Sequence, residues 1–111
     1  MADDTREPAA EPVDPLEAND AAFVEGFDKL YAQTWGSGAI PAKYKELTGV
    51  TISIMNRCDP CLAYHLRMAL AQKATKDEFV EAIRLAILSG GSVVIPTARY
   101  GYRVLRDLKV L

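Results

Sequence analysis

Residues 58–65 read Cys-Asp-Pro-Cys-Leu-Ala-Tyr-His. Pro60 stands where proline is favoured, in the first turn of a helix, so the helix begins at about Cys58 and runs to about Lys73. Positions three and four apart share one face of a helix. Cys58, Cys61 and His65 therefore line up along one side of this segment without help from tertiary structure. They are the only two cysteines and the only histidine of the chain.

The two thiols differ in setting. Cys58 lies at the helix start, where the macrodipole and the free N–H groups favour a thiolate. Cys61 is one turn further in and has His65 one turn below it as a candidate base. A free thiol titrates near pH 8.5 and is mostly protonated at neutral pH. An adjacent imidazole can take that proton and hold the thiolate as an ion pair. A carboxylate could in turn orient the imidazole, and Glu46, within the apolar run that includes Tyr44 and Leu47, is the best candidate. Its plainer alternative is a surface glutamate paired with a lysine, since buried acids are rare unless paired. Lys43 and Lys45 beside it are expected to face solvent. Three readings of the motif stay open on spacing alone. One is a redox-active pair in which one thiolate attacks and the other resolves. Another is a zinc site that would lack a fourth soft ligand. The last is two cysteines packed as small hydrophobes beside a core histidine.

Outward from this helix the pattern is helical throughout. Upstream, Phe23, Phe27, Leu30 and Tyr31 recur at three- and four-residue steps, which predicts one helix over about Leu16–Thr34, ended by Gly36 and Gly38. Pro41 opens the next, with Tyr44, Leu47, Val50, Ile54 and Met55 on its expected buried side. The β-branched run Val50-Thr51-Ile52 also admits a strand, and Gly49 weakens a helix there. Downstream, Thr75 and Glu78 make a capping box that starts a fourth helix with the stripe Phe79, Ala82, Ile83, Ala86 and Ile87. Gly90 and Gly91 stop it. Ser92 is the expected cap of a fifth helix reaching Leu108, in which Pro96 either lies in the first turn or makes a kink, with Tyr100, Val104 and Leu108 as its apolar line.

The totals set bounds. The chain has 111 residues, half of them hydrophobic, enough for one domain and one core. A chain this small buries a limited share of its surface, so oligomerisation is expected. Residues 1–20 carry seven acids and Arg6 alone as a base, whereas the rest carries twelve bases and eight acids. The Pro- and Ala-rich acidic segment 1–15 is read as a disordered tail, and 16–111 as the helical domain. The bases are scattered, with no basic stripe interleaved with aromatics, so nucleic-acid binding is not expected. The acidic start is unlike a signal or transit peptide, and no apolar run approaching membrane-spanning length is apparent. A cytoplasmic protein whose thiols are normally reduced is the expectation.

Residues 45–99, KELTGVTISIMNRCDPCLAYHLRMALAQKATKDEFVEAIRLAILSGGSVVIPTAR, resemble the carboxymuconolactone decarboxylase superfamily in its alkylhydroperoxidase D-like branch. The features that carry the resemblance are the Lys-Glu-Leu start, the twelve-residue step from Glu46 to Cys58, C-x-x-C-x-x-x-H, the Ala-Thr-Lys-Asp-Glu-Phe turn, and Gly90-Gly91. The resemblance implies an all-α fold whose centre is a helical hairpin carrying the cysteines near a helix start. It implies that Cys61 attacks a hydroperoxide, that Cys58 resolves the product as a disulfide, and that His65 and Glu46 relay the proton. It further implies an external thiol or dithiol reductant, no metal, haem or flavin, and a homo-oligomer, trimer or hexamer. One departure stands out. Well-known hydroperoxidases of this branch have a second histidine directly before the second cysteine, where this chain has Pro60. A lyase of the decarboxylase type, which usually lacks the paired cysteines, and a non-catalytic disulfide-exchange or metal-binding oligomer are the alternatives.

Overall fold

The computed structural model describes residues 13–111. Within them every regular element is helical: α1 (Pro15–Asn19), α2 (Ala21–Trp35), α3 (Ala42–Met55), α4 (Asp59–Ala71), α5 (Lys76–Gly90) and α6 (Ile95–Asp107), with a 3-10 turn at Gly91–Val94 before α6. The all-α expectation holds, and the strand admitted at Val50–Ile52 is helix. The acidic tail expected over 1–15 lies outside the described residues except for its last three. The chain divides into two compact units, one ending at Thr34 and one spanning Trp35–Leu111.

The first unit departs from the single helix expected over Leu16–Thr34. Asp14 caps α1, its Oδ1 accepting from the Leu16 N–H at 3.0 Å. Asp20 leaves the helical region at φ −145°, and its N–H closes α1 onto the Leu16 carbonyl. Local polar groups thus end α1 after five residues, and α2 starts afresh. Phe23, Phe27 and Tyr31 do form a line, with ring centroids 6.4 and 6.0 Å apart. Yet no residue of α2 is buried in the single chain.

The second unit holds the core. Leu47, Val50 and Ile54 of α3 meet Leu62, Leu66 and Ala69 of α4, and Phe79, Ala82, Ile83 and Ala86 of α5. Val94, Ala98 and Leu105 complete it. Each large side chain removed from water here contributes about 1.5–3 kcal/mol. Tyr44 and Met55, expected on the buried side of α3, are exposed. On α6 the buried residues are Thr97, Ala98, Gly101 and Leu105, so the apolar line expected through Tyr100, Val104 and Leu108 lies half-buried beside the true inner face. The Thr75 capping box is present in both directions. Ser92 is not the cap of the last helix: the 3-10 turn intervenes, Val94 takes the cap position, and Pro96 sits in the first turn of α6. Gly91, at φ 77°, makes the break that a side chain would strain. The run Lys76–Asp107 contains an 18-residue window of mean hydropathy 1.6, apolar and long enough to cross a membrane by those measures, contrary to the sequence expectation. Only 28% of that window is buried: Phe79, Ile83, Ala86 and Val94 belong to the core, whereas Leu85, Leu88 and Val93 are exposed.

The hairpin that positions the cysteines is closed by backbone chemistry. Arg57 adopts the left-handed conformation at φ 54°. The Arg57 N–H donates to the Ile54 carbonyl and the Cys58 N–H to the Ser53 carbonyl, each at 3.0 Å. These two bonds are a Schellman closure of α3. Cys58, whose N–H completes that closure, is also the N-cap of α4. One residue therefore ends the first arm of the hairpin and starts the second.

Candidate active site

Cys58 and Cys61 are joined as a disulfide, with Cα atoms 5.3 Å apart. As N-cap, the Cys58 sulfur accepts from the Cys61 backbone N–H at 3.3 Å. The sulfur thus lies where the free N–H groups of α4 point, the setting that favours a thiolate when the bond is reduced. Cys61 is exposed and Cys58 half-buried, so the second cysteine of the pair is the more accessible.

His65 lies one turn below Cys61 on α4 and is buried. Its Nδ1 is 2.7 Å from Oε2 of Glu46, which projects inward from α3. Glu46 is 5% and His65 8% exposed, so this is an interior pair and not a surface glutamate answering a lysine. Lys43 and Lys45 do not simply face solvent either; both are half-buried. Lys43 pairs with Glu78 at 3.0 Å, and Lys45 donates to the Gly36 carbonyl at 2.7 Å. The Glu78 hydrogen bond raises the Lys43 pKa above its usual value. With both lysines engaged elsewhere, His65 is the partner the structure gives Glu46.

The four residues singled out in the sequence are thus placed on the two arms of one hairpin, Glu46 on α3 and the rest on α4. Three further groups complete the surroundings. Gly49, three residues beyond Glu46 on the same face of α3, lies directly against the imidazole: a methyl group there would fall 2.6 Å from Nδ1 and 2.7 Å from Cγ. Trp35 stacks on the same ring, with centroids 4.6 Å apart and planes 27° apart. Tyr64 is exposed and meets His65 edge-on at 5.2 Å. Gly49 carried a signal in its three-residue step from Glu46, but as a weak helix former it read only as a liability. Trp35, thirty residues from His65 in sequence, carried none beyond being the chain's sole tryptophan. Among the described residues no group of three or more His, Cys, Asp and Glu is arranged to hold a metal ion.

A helical hairpin with a cysteine pair at one helix start and a histidine–glutamate pair behind it places the protein among small all-helical proteins built around a C-x-x-C-x-x-x-H segment. The chain belongs to the carboxymuconolactone decarboxylase family, whose model matches residues 21–106, and its cysteine pair is consistent with the alkylhydroperoxidase-like branch. An uncharacterized protein of Cupriavidus necator is 30% identical over 84 residues, spanning 76% of this chain and 72% of its own length. A Thermotoga maritima protein shares the fold with a TM-score of 0.80 at 32% identity, covering 85% of this chain and 82% of that one. A second crystal structure of that protein gives a TM-score of 0.76 at 34% identity, over 79% and 91% of the two chains. It is described as a family member with a suggested part in the antioxidative response. A family member from Legionella pneumophila, in its apo form, has the same fold, with a TM-score of 0.78 at 22% identity over 83% and 82% of the chains.

Proposed function

We propose that the protein is a thiol-dependent peroxidase acting on hydroperoxides, with Cys61 as nucleophile, Cys58 as resolving thiol, and His65 and Glu46 as the proton relay. The observation that carries this reading is the buried 2.7 Å bond between His65 and Glu46, one helical turn behind a cysteine pair that is already in its disulfide form. Bonding to Glu46 through Nδ1 leaves Nε2 as the ring nitrogen available to the Cys61 thiol. The antioxidative part suggested for the Thermotoga protein points the same way.

In the reduced enzyme the Cys61 proton passes to His65, and Glu46 steadies the imidazolium. The Cys61 thiolate attacks one peroxide oxygen and the O–O bond breaks. The sulfur becomes a sulfenic acid and, with a proton returned, an alcohol or water leaves. The Cys58 thiol then condenses with the sulfenic acid, releasing water and forming the disulfide. An external thiol or dithiol restores both thiols by exchange and is itself oxidised. The sequence of steps uses no metal, haem or flavin. Exposure of Cys61 suits the attacking role, and half-burial of Cys58 suits the role that meets only Cys61.

The deciding experiment is hydroperoxide consumption with a dithiol reductant, comparing the intact protein with Cys61→Ser. Consumption lost in Cys61→Ser, together with one trappable sulfenate per chain in Cys58→Ser, is the expected result. Full turnover by Cys61→Ser would reverse the assignment. Disulfide exchange without peroxide turnover is favoured by one feature, Pro60 standing where related hydroperoxidases have a second histidine. It would show as dithiol oxidation coupled to a disulfide substrate, with no hydroperoxide consumed by either protein.

A further inference from the structure

The chain's sole tryptophan lies against the relay imidazole, and its placement suggests a task. Beyond the indole stack at 4.6 Å, the geometry of Gly49 shows which surface of the ring is already taken. A methyl group built on Gly49 would stand 2.6, 2.7 and 2.9 Å from Nδ1, Cγ and Cε1. Three near-equal distances to adjoining ring atoms place the glycine over the face of the ring, since an edge-on approach to Nδ1 would hold the other two atoms much further off. A ring with backbone this close on one face has only the other face for a stacked indole. His65 therefore sits in a slot, with Gly49 on one side and Trp35 on the other.

The slot does what the Glu46 bond alone does not. Rotation about the outer torsion of a histidine is soft and roughly two-fold. A single hydrogen bond at Nδ1 fixes one atom and lets the plane tilt about it. We propose that Trp35 is a positioning residue that holds the His65 ring in the plane where Nδ1 meets Glu46 and Nε2 takes the Cys61 proton. This rests on the relay assigned above. Moving that proton turns a neutral imidazole and a thiol into an imidazolium and a thiolate. The electron-rich face of indole attracts a cation, so the stack favours the charge-separated form in addition to fixing the plane.

The test uses thiol alkylation and involves no oxidant, so it is separable from peroxidase activity. In reduced Cys58→Ser protein, the rate of Cys61 alkylation by iodoacetamide is followed from about pH 5 to about pH 9, across the ordinary histidine and thiol ranges. Trp35→Ala should slow alkylation near neutral pH about two- to tenfold, the worth of an aromatic stack, and move the midpoint of the profile upward. Trp35→Phe, which keeps a ring in the slot, should recover most of the rate. An unchanged rate and midpoint in Trp35→Ala, or equal slowing in both variants, would overturn the proposal. A second measurement needs no change at Trp35. Tryptophan emission in the reduced protein should titrate with pH and lose that step in His65→Gln. An identical titration in both would show that the indole does not sense the imidazole and would equally overturn it. A protein that alkylates as expected yet consumes no hydroperoxide leaves the role of Trp35 standing and removes only the peroxidase reading.

Discussion

At Gly49 two demands on one backbone position conflict. Glycine in a helix interior costs about 1 kcal/mol relative to alanine, and α3 is otherwise well formed across it. The His65 ring occupies the volume a β-carbon would fill, within 2.9 Å of three ring atoms. Gly49→Ala should therefore lower stability, by about 1–3 kcal/mol for overpacking, even after the gain in helix propensity. It should also slow Cys61 alkylation, because the imidazole has to leave its slot. Urea unfolding measures the first effect and iodoacetamide kinetics the second. If the variant were more stable than the parent, as for an exposed helical glycine, the ring would not be seated on α3. Glu46→Gln probes the neighbouring position differently. The amide keeps a hydrogen-bonding group at 2.7 Å from Nδ1 but removes the charge that steadies an imidazolium. Folding should survive while the neutral-pH alkylation rate of Cys61 falls. A rate equal to the parent's would exclude Glu46 from the relay.

On the scale of single elements, α5 offers a test in which the sign of a pH effect can be worked out. The Thr75 backbone N–H, and then the Lys43 ammonium, hold the Glu78 carboxyl below its usual value of 4.5. A depressed carboxyl pKa contributes stability above the unfolded-state value and loses it as pH falls through the folded-state value. The thermal midpoint of the parent should thus decline in acid below about pH 4.5, and Glu78→Gln should flatten that limb. An unaltered limb would mean that the capping box and the Lys43 pair are not the acid-sensitive contacts. The capping box was legible because both its residues are three positions apart in sequence. The Cys58–Cys61–His65 line was legible for the same reason, a helix converting short spacing into shared direction. Glu46 and His65 are nineteen residues apart and meet only because the hairpin folds, so spacing could nominate the carboxylate but not aim it. The ends of α4 and α6, read at about Lys73 and Leu108, fall within two residues of the observed Ala71 and Asp107, although the capping there and at the end of α3 is unusual. Arg57, Lys73 and Lys109 take the left-handed position there, where the usual cue is glycine. Their charges instead suit the negative end of a helix dipole. The break between α1 and α2 at Asp20 lies before the stripe of Phe23, Phe27, Leu30 and Tyr31 begins, so that stripe could not mark it.

Across the whole molecule the apolar surface exceeds what one chain buries. The inner stripe of α5, Phe79, Ile83 and Ala86, is fully buried. On the same helix Leu85 is exposed, and Leu88, three residues on, is 88% exposed. Val93, in the 3-10 turn that follows, is exposed as well. A helix apolar on more than one side is normally covered on more than one side, and single chains rarely leave such neighbours open to water. A second copy of the chain is the expected cover, in keeping with the trimers or hexamers that the family resemblance implies and with the small core of a 111-residue chain. Light scattering should therefore give the parent a mass that is a multiple of 12.2 kDa. Leu85→Lys combined with Leu88→Lys should reduce that mass while leaving the helical circular dichroism intact, because neither residue belongs to the buried cluster. A parent that stays at the mass of one chain would defeat the expectation of assembly. An oligomer indifferent to the double substitution would move the interface away from this face of α5.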